Sequence, residues 1–168
     1  MVKGSLIERS EKFNALCRVF TPLIGATLSR YETAQLEYEP GKWDDWSDFP
    51  IRFYFGSEQV VSIAWNHSEA LWIRDDLSYP FSPSNLGVRW VENSLPCFSK
   101  LRGERLVDVT LGATLFSGFP KMWDRIFLCF GSAWVEVFLA GDENAYRSHT
   151  VLPEVDMMHI LKTSNRKS

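Results

Sequence analysis

The stretch Ile51–Ser57, IRFYFGS, returns later in the chain as Ile126–Ser132, IFLCFGS. Two such segments, each a strand-like run ended by a glycine, require two similar hairpins in one structure, which restricts the available folds more than any other feature. Ile51, Phe53 and Phe55 fall on one face of a strand, and Val61, Ile63 and Trp65 of VSIAW do the same. The intervening GSEQ opens with a residue that takes positive φ easily, so the pair reads as a β-hairpin. LWIR adds a further strand.

The likeness extends to the flanks. FTPLIGATL at Phe20–Leu28 matches FSKLRGERL at Phe98–Leu106, with Gly103 standing 78 residues after Gly25. At the hairpin Gly131 stands 75 residues after Gly56, so the connection is three residues shorter in the second copy, as expected of a loop. Dropping one residue from the second turn sets Val61, Ile63 and Trp65 against Val135, Val137 and Leu139, and Ser62 against Glu136. Continued, it sets Glu69 and Trp72 against Glu143 and Tyr146. Shared parity weighs more than shared letters, because a one-residue slip turns every buried side chain to the other face. The reading is an internal duplication of about 60 to 70 residues. The halves span approximately 20–76 and 98–150, and a turn-rich linker at approximately 77–97 carries Pro80, Pro83 and Gly87. Each half alone is near the size at which one core is marginal, so residues 1–168 are expected to form a single domain.

Around the repeat, Leu6, Phe13, Leu16, Cys17 and Phe20 recur at helical spacing, Ser5 is placed to cap the start and Pro22 to end it. AQLEYE alternates Ala34, Leu36 and Tyr38 against Gln35, Glu37 and Glu39, the pattern of a strand with one wet face. PEVDMMHILK reads as a short C-terminal helix opened by Pro153, with Val155, Met158 and either Ile160 or Leu161 inward. The expected fold is α+β, with a mainly antiparallel sheet.

Composition excludes several classes. With 45% hydrophobic and 23% charged residues the chain is neither disordered nor fibrous, and no apolar run approaches the roughly 20 residues of a membrane helix. Glu8, Arg9, Glu11 and Lys12 interrupt any export signal, so a cytoplasmic location is expected. Cys17, Cys97 and Cys129 fit neither a disulfide framework nor a zinc site. A net charge of −3 gives no general attraction to nucleic acid, and the basic tail KTSNRKS reads as a solvated terminus. No metal or cofactor is expected.

Three candidate sites remain. KWDDWSDFP interleaves Trp43, Trp46 and Phe49 with Asp44, Asp45 and Asp48, the composition of an interaction hot spot for a basic partner; alternatively, both Trp rings fold back on the sheet end. A groove between the halves lined by Trp65, His67, Glu69, Trp72, Trp134 and Tyr146 would make a small-ligand pocket. His67 with Glu69, or His149, would supply acid–base chemistry, although no recognised catalytic spacing accompanies them. The carboxylate pairs Asp75–Asp76 and Asp142–Glu143 read as turn and strand-end charges.

The L-x-G-x-x-L block entering a strand, followed by a Phe–Gly hairpin and a strand ending before Glu, occurs in both halves. It resembles small β-rich bacterial immunity proteins, the partners of polymorphic toxins. That resemblance implies a non-enzymatic cytoplasmic protein that neutralises a basic toxin by binding it. The partner-binding residues would then be Trp43, Asp44, Asp45, Trp46 and Asp48.

Overall fold

Helix α1 runs over Arg9–Phe20 and directs Phe13, Ala15, Leu16, Val19 and Phe20 into the core. The computed structural model describes residues 5–44, 50–56, 59–66, 69–78, 87–115, 120–131, 133–141 and 143–160. The helix starts later than its apolar spacing predicts. Leu6 instead exchanges two backbone hydrogen bonds with Leu71, at 2.7 and 2.8 Å, an extended pairing that a helical residue cannot make. Glu8 therefore occupies the cap position expected of Ser5, without a side-chain bond. After Phe20 a 3-10 turn over Thr21–Leu23 carries Pro22, which has no N–H with which to continue the helix.

The first sheet contains β1 (Leu28–Glu39), β2 (Lys42–Trp43), β3 (Ile51–Phe55), β4 (Gln59–Asn66), β5 (Ala70–Arg74) and β6 (Val88–Glu92). Strands β3, β4 and β5 follow β1 on one side, and β6 pairs β1. The second sheet contains β7 (Leu106–Thr114), β8 (Met122–Phe130), β9 (Ala133–Ala140), β10 (Glu143–His149) and β11 (Asp156–His159), in the order β10-β9-β8-β7-β11. All pairings are antiparallel.

Two expectations need correction. The segment read as a linker contains β6, and the expected C-terminal helix is the strand β11. Met158 and Ile160 both reach the core, a spacing of two that belongs to a strand. In this short stretch three-residue and two-residue spacings both select apolar residues, and the edge of β7 decides between them by offering backbone partners.

The two sheets share one pairing register. Leu28 lies opposite Phe55 and, after a bulge, Arg30 opposite Tyr54; Leu106 lies opposite Phe130 and, after a bulge, Asp108 opposite Cys129. On the other side of these strands Thr33 faces Val91, as Leu111 faces Met158. Asn93 N–H then bonds Tyr31 O at 2.9 Å, and Ile160 N–H bonds Val109 O at 3.1 Å. The register amends the sequence alignment at one turn. Ala70 and Ile73, not Glu69 and Trp72, correspond to Glu143 and Tyr146, because the turn from Asn66 to Ala70 is one residue longer than that from Ala140 to Glu143.

Where the sheets meet, the bonds are reciprocal. Gly25 N–H bonds Leu106 O at 2.7 Å and Gly103 N–H bonds Leu28 O at 2.8 Å, while Leu28 N–H bonds Glu104 O and Leu106 N–H bonds Ala26 O. Thr27 bridges Arg105 at the centre. Ile51, Phe53, Phe55, Val61, Ile63 and Trp65 face Ile126, Leu128, Phe130, Val135 and Val137 across one core, as their alternation predicts. Each such large apolar side chain contributes about 1.5–3 kcal/mol by leaving water.

Candidate functional site

Strand β1 outlasts its counterpart. By the shared register Leu36 corresponds to Thr114, where β7 ends, yet β1 continues to Glu39 and turns back at Pro40 and Gly41 into β2. Gly41 takes φ +76°, which favours glycine, and its N–H bonds the Glu37 carboxylate at 2.6 Å. Trp43 then lies opposite Glu37, and Asp44 N–H returns to Leu36 O at 2.9 Å.

β6 braces this hairpin. Gln35, paired with Arg89, accepts the Arg89 Nε hydrogen at 2.8 Å, and the guanidinium sits 4.5 Å from the centre of the Trp43 ring. Glu37 N–H bonds Gly87 O at 2.9 Å. A Cβ at Gly87 would stand 2.7 Å from Glu37 Oε2 and 3.2 Å from the Trp43 ring, so a side chain there would shift the end of Glu37 and press on the indole. Trp43 is half-buried, and beside it Tyr38 is 56% exposed. Of the five residues expected to bind a partner, Trp43 and Asp44 fall on this hairpin, while Asp45, Trp46 and Asp48 lie outside the described residues.

The aromatic residues expected to line a pocket divide between the core and the outer faces of the sheets. Trp65 is core; its Nε1–H bonds Val137 O at 3.1 Å and its backbone N–H bonds Asn144 Oδ1 at 2.6 Å, so it joins the two sheets. Tyr146 packs edge-on to Phe98 at 5.8 Å. Trp72 and Trp134 alternate with inward residues and lie on the outer faces of different sheets. His67 lies outside the described residues. Glu69 and His149 have separate partners, Lys12 and Glu136. An open groove of about 760 Å³ lies elsewhere, between α1 and β5, lined by Leu6, Glu11, Asn14, Arg18, Arg74 and Asp75.

The sequence reading missed the polar clusters. The Lys12 side chain is fully buried; its Nζ donates to Glu69 Oε2 at 3.2 Å and to Trp123 O at 2.9 Å, and lies 5.5 Å from the Trp65 ring centre. Burial lowers its pKa, against the raising effect of Glu69. Glu69 reaches this position from a φ of +54° and also accepts Trp123 N–H at 2.8 Å. Helical phase was the available signal, because Lys12 precedes Leu16 and Val19 by four and seven residues on the apolar stripe.

On the outer face of the second sheet the buried Glu136 binds Arg125 at 2.8 Å and His149 at 2.6 Å, and His159 binds Asp108 at 2.8 Å. On the first, Ser62 bonds Asp76 O, and Arg52 bonds Leu77 O and Ser78 O, so the chain leaving β5 passes over that face. Asp76 accepts the Ser78 hydroxyl and backbone N–H, which hold its carboxyl below the usual range and fit the turn role expected of it. Among the described residues no three His, Cys, Asp or Glu side chains gather as a metal site, and no helix is long and apolar enough to cross a membrane. The chain matches no family model, no curated protein and no solved structure.

Proposed function

We propose that this chain is a non-enzymatic protein-binding module of the immunity type, acting in the cytoplasm, which captures a basic protein through the acidic aromatic segment that begins on β2. The observation carrying the proposal is the unequal length of β1 and β7, two strands that otherwise share one register. We read that shared register as internal duplication, with the halves widened to include β6 and β11. In a duplicated scaffold the common positions serve folding, and an element added to one copy is where a separate role resides.

The added element has the chemistry for protein capture. Tyr38 and Trp43 offer aromatic anchors, and Glu37 and Asp44, with Asp45 and Asp48 following in sequence, supply negative charge that speeds encounter with a basic surface. Cys17, Cys97 and Cys129 form no disulfide, which accords with a reducing compartment.

The test is capture by the full chain of a basic protein encoded beside it, measured by surface plasmon resonance. Trp43→Ala with Asp44→Asn should weaken capture at least about tenfold while leaving the melting temperature within a few degrees. Unchanged affinity in that double variant rejects the proposal.

A further inference from the structure

We propose that the Trp43 indole is a receptor for a partner's guanidinium group, and that Arg89 is an internal occupant which the partner must displace. The inference rests on the reading of the hairpin as a partner-binding element and adds the chemistry of what binds there. Three observations carry it. First, a guanidinium already occupies the ring, with Arg89 Cζ 4.5 Å from its centre. Second, the hold on that guanidinium is light: Arg89 is exposed, and its hydrogen bond at 2.8 Å goes to the neutral amide oxygen of Gln35. Third, the surroundings favour a cation, with Glu37 directly across from Trp43 and Asp44 next to it.

The same sheet holds three other guanidinium–ring pairs; Arg74 lies 5.6 Å from the Trp72 ring centre, and the other two are built differently. Arg30 lies 3.5 Å from the Tyr54 ring centre and is bound to Glu32 at 2.6 Å, and Tyr54 donates to the same carboxylate at 2.6 Å. Arg52 lies 3.6 Å from the Trp90 ring centre and is bound to backbone carbonyls while largely buried. Both are closer and more firmly held than Arg89 on Trp43. An exposed cation–π contact is weak, and an incoming arginine between carboxylates displaces it. Arg89 thus keeps the ring face covered in the unbound protein, where a bare indole would invite unspecific association.

The experiment titrates the full chain with a fluorescent deca-arginine peptide by anisotropy, with deca-lysine as comparison. Arg89→Ala should tighten deca-arginine binding roughly two- to fivefold beyond the change given by Arg18→Ala, which removes the same charge from α1. Arg89→Lys, which keeps the charge and loses the planar group, should fall between wild type and Arg89→Ala. Equal tightening in Arg89→Ala and Arg18→Ala, or weaker binding in Arg89→Ala with the melting temperature retained, overturns the proposal, because Arg89 is then only a charge or a brace. If Trp43→Leu binds both peptides as wild type does, the hairpin is not the binding element and the underlying reading fails with it.

Discussion

Phe55 and Phe130 stack on one another, with ring centres 6.3 Å apart and planes 10° apart. Each ends the first strand of its hairpin, and each is followed by a glycine at positive φ, Gly56 at +57° and Gly131 at +53°. The two segments that resemble each other most closely in the sequence therefore meet face to face at the junction of the sheets.

From that stacking, Phe55→Ala and Phe130→Ala should each destabilise the protein by about 3–5 kcal/mol, since both rings are fully buried. Because the rings touch, the double variant should lose less than the two single losses added, by about 0.5–1.5 kcal/mol. Urea unfolding of the four proteins measures this coupling.

Gly25 and Gly103 share φ +86° and make reciprocal bonds to Leu106 and Leu28. A Cβ at either would meet nothing within 4 Å, so the cost of alanine is conformational at both. Gly25→Ala and Gly103→Ala should each cost more than about 1 kcal/mol, and by closely similar amounts. Thermal unfolding of the two variants provides the comparison.

Lys12→Ala should cost about 2–3 kcal/mol. That is below the range for breaking a fully buried pair, because Glu69 keeps 26% of its side chain in water. Burial lowers the folded-state pKa of Lys12 below 10.5, so between that lowered value and 10.5 the unfolded chain binds more protons than the folded one. In that window this group makes stability rise with pH. Denaturant midpoints of wild type should therefore gain on those of Lys12→Met as pH is raised toward 10.5.

The hairpin β3–β4 was legible because Ile51, Phe53 and Phe55 and then Val61, Ile63 and Trp65 alternate cleanly around a glycine turn. β6 was hidden by its neighbours: in the sequence Pro80, Pro83 and Gly87 read as turn signals, and VRWVE is short. What makes it a strand is the free side of β1, a tertiary partner that local pattern does not contain. The same holds for β11, whose Met157 and Met158 fit helix or strand equally. The aromatic residues of the expected pocket divide between faces for a related reason. Trp65 and Trp72 lie on adjacent strands, but only Trp65 has inward parity, and residue type was allowed to outweigh the face. On the hairpin the sequence singled out Trp43 and Asp44 and did not place Arg89 beside them, because the contact of Arg89 with Trp43 spans the unrecognised strand.

The central claim is that binding resides where β1 runs past the register it shares with β7 and turns into β2. The direct measurement is deca-arginine affinity of a full chain in which residues 37–50 are replaced by residues 115–125, the corresponding stretch of the second sheet. A chain that melts within a few degrees of wild type and binds at least about tenfold more weakly is the predicted result. Equal affinity in that folded chain would contradict the account.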